Sequence, residues 1–263
     1  LTSIGGSAFW KCSGLTSVVL PEGLTSIGAS AFSRCTGLTS VVLPAGLTSI
    51  GGSAFWKCSG LTSVTFPEGL TSIGASAFSR CSGLTSVVLP AGLTSIGESA
   101  FYECTGLTSV TFPEGLASIG MSSFSDCTGL TSVTFPEGLT SIGGDAFRDC
   151  TGLTSVTFPE EGLSSIGAYA FFGCTRLTSV RLSEKTELGY SAFGSNVRVK
   201  FFEDDSDEDE DMGVGGNKRA FEDDSDDDEG AAASAKRRRM RLWEKKLQQM
   251  RLEGADKYGA LRL

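Results

Sequence analysis

The chain has 263 residues with 8 Cys, 34 Gly, no His and a formal net charge of −9. No apolar run reaches membrane-spanning length, and the absence of His removes the commonest general base and metal ligand. Charge is unevenly placed: residues 1–202 carry 10 basic and 13 acidic side chains, residues 203–229 carry 2 and 15, and residues 230–263 carry 10 and 3. The first segment is therefore nearly neutral and the extremes lie after it.

The neutral segment is a repeat. Leu24-Thr-Ser-Ile27-Gly28-Ala-Ser-Ala31-Phe32-Ser-Arg-Cys35-Thr-Gly37-Leu38-Thr-Ser-Val41-Val-Leu43-Pro44-Ala-Gly46 restarts at Leu47, Leu70, Leu93, Leu116 and Leu139, a period of 23 residues. Glu161 is one extra residue and moves the next start to Leu163. A fixed period of this size marks a solenoid, because one unit buries too little by itself and gains a core only by stacking like residue on like. The chain begins at Leu1 in mid-pattern, as expected of a fragment.

Each unit predicts two short extended pieces and one compact turn. In Thr39 to Leu43, Val41 and Leu43 alternate inward while Ser40 and Val42 face out. Pro44 ends that strand because it has no N–H to give. A second piece lies around Leu47 to Gly51, and Ala54-Phe55 to Cys58 is expected to form a single turn of α or 3₁₀ helix. Cys12, Cys35, Cys58, Cys81, Cys104, Cys127, Cys150 and Cys174 fall at one position per unit. Parallel side chains pointing the same way suit neither disulfides, which need facing Cβ atoms, nor zinc, which needs ligands converging on a point. They are expected to be buried free thiols, with no metal and no cofactor.

The pattern Leu-x-x-Ile-x-x-x-Ala-Phe-x-x-Cys-x-x-Leu-x-x-Val-x-Leu-Pro resembles the BspA-type leucine-rich repeat, over Leu1 to about Leu182 with a degenerate copy to Phe202. The resemblance implies a leucine-rich-repeat solenoid, α/β or mainly β, with a short parallel strand per coil. It implies adhesion or protein binding and no catalytic residues. Residues 1–187 are thus read as the array and 188–202 as a capping repeat, where Asn196 replaces the Cys and Arg198 and Lys200 discourage edge pairing.

Two columns just before the Cys vary while the rest of the repeat is monotonous. One reads Trp10, Ser33, Trp56, Ser79, Tyr102, Ser125, Arg148, Phe172; its neighbour reads Lys11, Arg34, Lys57, Arg80, Glu103, Asp126, Asp149, Gly173. The first alternates over 46 residues and the second switches from basic to acidic halfway. Trp10, Lys11, Arg34, Trp56, Lys57, Arg80, Tyr102 and Glu103 form the candidate partner-binding stripe, because aromatic and Arg side chains are the usual anchors of protein recognition. The bland reading is drift in an exposed column whose charges keep the coil soluble.

Two acidic blocks, starting at Phe202 and Phe221, share Phe-Glu-Asp-Asp-Ser-Asp; residues 203–230 are too densely charged to form a core and are expected to be disordered. Ser206 and Ser225 precede carboxylate runs and are candidate phosphorylation sites. Residues 231–253 favour a basic amphipathic helix, with Met240, Trp243, Leu247 and Met250 on one face; residues 254–263 follow as a flexible end. Lys236, Arg237, Arg238 and Arg239 form a candidate nuclear localisation patch. The sequence therefore predicts a non-catalytic protein-binding scaffold with unknown protein partners and no small-molecule substrate. Nucleic acid is disfavoured by the adjacent acidic block, and membrane contact is confined to the basic helix. The alternatives are a nuclear factor whose acidic tail holds histones or other basic proteins, and a cell-surface adhesin. Cytoplasm or nucleus fits the sequence as it stands; the cell surface fits if a signal peptide precedes Leu1.

Overall fold

The computed structural model describes residues 1–202, which form one compact unit. The expected disordered segment, basic helix, phosphorylation sites and localisation patch lie outside the described residues. Within them the chain winds as a parallel β-solenoid, and each coil has three sides.

The first side is the Leu-Thr-Ser-Ile piece. Its two-residue strands, from Ser3–Ile4 to Glu187–Leu188, build one nine-stranded parallel sheet. Register is held by identity: Ser26 pairs with Ser49 and Ile27 with Ile50. Ile27 and Ile50 are buried beneath it. At the corner Thr48 donates both its N–H (3.0 Å) and its hydroxyl (3.2 Å) to the Thr25 carbonyl. Thr62 does the same to Thr39 on the third side. Threonine suits these corners because its short hydroxyl reaches a carbonyl one coil away.

The third side is the expected strand, Ser40–Val42 in the second coil, with Val41 and Leu43 buried and Ser40 and Val42 exposed. Here hydrogen-bonded strands come in pairs, such as Ser40–Val42 with Ser63–Thr65 and Ser86–Val88 with Ser109–Thr111, rather than as one sheet.

The second side corrects the expected helical turn: no residue of it is helical. Ser30 and Arg34 take φ of 58° and 63°, and the equivalent residues repeat this through the array. A helix needs every residue right-handed. The alternation instead aims every second N–H at the next coil: Ser30 donates to Gly52 (2.9 Å), Phe32 to Ala54 (2.7 Å) and Arg34 to Trp56 (2.7 Å). The N–H groups between them close onto their own coil, as Cys35 does to Phe32 at 3.1 Å. A helical turn would have spent those donors internally and left the coils unjoined on this side. On the strand side the bonds run the opposite way, from Gly51 back to Ile27 at 2.8 Å.

Inside, the phenylalanines form a continuous pile. Phe32–Phe55, Phe55–Phe78 and Phe78–Phe101 lie 5.2, 5.2 and 5.5 Å apart with planes within 7°. Seven cysteines run beside them, buried and free; Cys12, in the first coil with a neighbour on one side only, is exposed. Every thiol from Cys35 to Cys174 donates to a Phe carbonyl of the preceding coil, for example Cys58 to Phe32 at 3.1 Å. No buried side-chain nitrogen or oxygen among the described residues lacks a partner.

Two departures from periodicity are absorbed locally. The extra residue beside Glu160 sits in the corner after Pro159, where Gly162 adopts φ of 83°. Val133 pairs with Val156, 23 residues on, and Ile142 with Ile166, 24 residues on, so pairing resumes at once. In the last coil Asn196, standing where Cys is expected, donates its amide to the carbonyls of Leu177 (2.7 Å) and Cys174 (3.3 Å). Arg198–Phe201 then pairs in parallel on Ser179–Leu182.

Candidate functional site

The candidate stripe lies on the turn side, and the turn explains its form. Lys11, Arg34, Lys57, Arg80, Glu103, Asp126 and Asp149 occupy the second left-handed position of their coils, with φ between 54° and 63°. Left-handed backbone costs an L-residue roughly 1–2 kcal/mol, which glycine avoids. Gly173 fills the same position in the eighth coil at φ of 78°. Seven long or acidic side chains thus stand where glycine fits the backbone better.

The neighbouring column is a packing pattern. Side chains at one position of successive coils lie about 4.8 Å apart, too close for a pile of splayed indoles. Ser33, Ser79 and Ser125 alternate with the large residues and are 3 %, 3 % and 4 % exposed, covered by them. The 46-residue superperiod is therefore large over small.

The structure brings most of the stripe into one interleaved rail. The Lys11 ammonium lies 4.0 Å from the Trp10 ring. The Arg34 guanidinium lies 4.8 Å from the Trp56 ring and that of Arg80 6.0 Å from it, so Trp56 sits between two cations from its neighbouring coils. Arg80 also approaches Tyr102 (5.9 Å) and pairs with Glu103 at 3.1 Å. Contacts of this kind are worth ~0.5–1 kcal/mol each at exposed sites and exposed ion pairs ~0–1 kcal/mol. Their effect is to fix where the charged heads stand. The Glu103 carboxylate, hydrogen-bonded to the phenol, raises the Tyr102 pKa. Lys57 is exposed.

A second cluster was not singled out from the sequence. Arg148 bonds Asp145 (3.1 Å) and Asp149 (3.2 Å) and lies 5.8 and 5.9 Å from the rings of Tyr169 and Phe172. Asp145, which holds its pKa up first and most strongly, belongs to a column that is Ser in earlier coils; that replacement was the legible signal. Among the described residues no three His, Cys, Asp or Glu side chains converge as metal ligands would.

A leucine-rich-repeat solenoid carrying a charged aromatic rail is the class this geometry defines. The family described as BspA type leucine rich repeat region matches residues 2–128 and 94–206, in 6 copies, and the chain belongs to it. A Treponema pallidum leucine rich repeat protein is similar at 32 % identity with a TM-score of 0.53, the match covering 67 % of this chain and 72 % of that one. A leucine rich cell surface protein of Faecalibacterium prausnitzii is similar at 29 % identity and a TM-score of 0.57, covering 76 % of this chain and 64 % of that one. The pneumococcal vaccine antigen PcpA shares the fold at 22 % identity and a TM-score of 0.52. No curated protein matches.

Proposed function

We propose that this chain is a non-catalytic protein-binding scaffold whose recognition surface is the turn-side rail from Trp10 to Glu103. The observation that carries this reading is the retention of Lys11, Arg34, Lys57 and Arg80 at left-handed backbone positions, with Arg34 and Arg80 held against aromatic rings. Local strain kept at a surface column points to a role for the side chains themselves. Cations fixed in place lose little freedom on binding, which favours affinity. The charged segment beyond residue 202 serves as an electrostatic arm tuned by phosphorylation at Ser206 and Ser225.

The test is saturable binding by the immobilised 263-residue chain compared with a Trp56→Ser, Arg80→Ser variant. Loss of a partner in the variant supports the reading. A partner held equally by both puts recognition on another surface, and no saturable partner for either defeats it.

A second reading, a cell-surface adhesin, is supported by the similar protein described as a leucine rich cell surface protein. Surface labelling of cells that produce the native protein tests it; protein found only inside the cell counts against it.

A further inference from the structure

We propose that the rail docks a second copy of this chain, antiparallel and two-fold symmetric about a point between the fourth and fifth coils. It rests on reading the rail as a recognition surface, and it names the partner. A two-fold interface must complement itself, and the charged column does so about this point without setting like charge on like.

Charge is the first observation. Antiparallel docking about that point sets coil four opposite coil five, three opposite six and two opposite seven. Arg80, which already pairs with Glu103 of its own chain, then lies against Glu103 of the other copy; Lys57 faces Asp126 and Arg34 faces Asp149, each pair occurring twice. Both copies have the same coil rise, so a register fixed at one pair holds along the rail. Arg148, the cation of the acidic half, is already tied to Asp145 and Asp149.

Exposed apolar surface is the second observation, and it comes from a different column. The same operation acts on the column of large residues, where Ser33, Ser79 and Ser125 are already covered by their own chain. At the two ends it sets Trp10, 50 % exposed, against Phe172, 40 % exposed, two of the large apolar side chains left open to solvent. Sliding by one coil keeps several opposite-charge pairs but sets like charge on like at the axis. An axis through coil four faces Arg80 with Arg80 and Trp56 with Tyr102, and an axis through coil five faces Glu103 with Glu103 and Tyr102 with Tyr102. The neighbouring registers thus carry a like-charge contact at their centre that the proposed one lacks.

The experiment is sedimentation velocity of the full chain against concentration and salt. The wild type is expected to dimerise, more weakly as salt rises. Lys57→Glu is expected to raise the dimer Kd by about tenfold or more, since each substitution enters two pairs. Lys57→Glu with Asp126→Lys is expected to recover the wild-type Kd to within about threefold, whereas Lys57→Glu with Asp149→Lys is not. A chain that stays monomeric at its highest soluble concentration in low salt overturns the proposal. So does association indifferent to every rail substitution, which belongs to the segments beyond residue 202. Circular dichroism of each variant establishes that it is folded. The capture assay run beside it separates the two readings: a monomer whose rail holds a different protein overturns self-docking and leaves the scaffold standing.

Discussion

The thiol of Cys104 donates a hydrogen bond to the carbonyl of Phe78, 3.2 Å away and 26 residues earlier. The bond crosses one coil boundary, and its equivalents cross each boundary from Cys35 to Cys174. Cysteine is small enough to stack and still carries one weak donor, which reaches a carbonyl that would otherwise accept only from within its own coil.

Alkaline pH should unfold the array steeply. Burial pushes the Cys58, Cys104 and Cys174 thiols up to about 12, and those of Cys81, Cys127 and Cys150 well above their ordinary value. An unfolded thiol loses its proton near pH ~8.5. Below that both states are protonated and the thiols' contribution is fully present; above it only the unfolded state gives up protons, so stability falls as pH rises toward the folded values. The slope is about 1.4 kcal/mol per pH unit per thiol. Circular dichroism from pH 8 to 12 should show unfolding whose steepness drops in a Cys104→Ala, Cys127→Ala variant.

Cutting the phenylalanine pile should cost most in its middle. Phe101 is fully buried between Phe78 and Phe124, so Phe101→Ala should destabilise by ~3–5 kcal/mol in urea unfolding. Phe9, 37 % exposed with a ring partner on one face, should cost well under half of that.

Glycine matters where coils touch. A Cβ on Gly51 would meet Ala29 N at 2.6 Å and Gly28 C at 2.7 Å, backbone atoms of the preceding coil. Gly51→Ala should therefore cost more than ~2 kcal/mol. At Gly69 the nearest atom is Ala45 O at 3.7 Å, and Gly69→Ala should be neutral to within ~1 kcal/mol.

Lys57→Gly should raise stability by ~0.5–1 kcal/mol by relieving its φ of 58°. The same change should weaken binding at the rail. Thermal melts and the sedimentation assay on one protein test both signs, and a rise in stability with binding unchanged removes the functional argument for the column.

Much of the fold was legible because a solenoid repeats its hydrophobic pattern eight times. Leu, Ile, Phe and Cys fall at fixed offsets, and each is buried once a coil lies on both sides. The turn was misread because Ala54 to Cys58 is a short segment free of Gly and Pro, while the competing choice, N–H groups aimed at the next coil, is a tertiary effect that no single copy reveals. The stripe's membership was readable from its variation. Its interleaving was not: only the stacked coils show that Trp56 lies between Arg34 and Arg80, or that Ser33 and Ser79 are covered. Asn196 announced itself by breaking the Cys column, and its role as a carbonyl cap needed the coordinates.

The corner at Glu160 to Gly162 takes an additional residue while the strands on either side keep their pairing. Chain length at that bend is therefore uncoupled from the rest of the winding. The corresponding corners, as at Pro136 to Leu139, offer natural splice points where foreign peptides can be displayed at chosen heights along the column, a ready-made ruler for presenting epitopes a few ångströms apart.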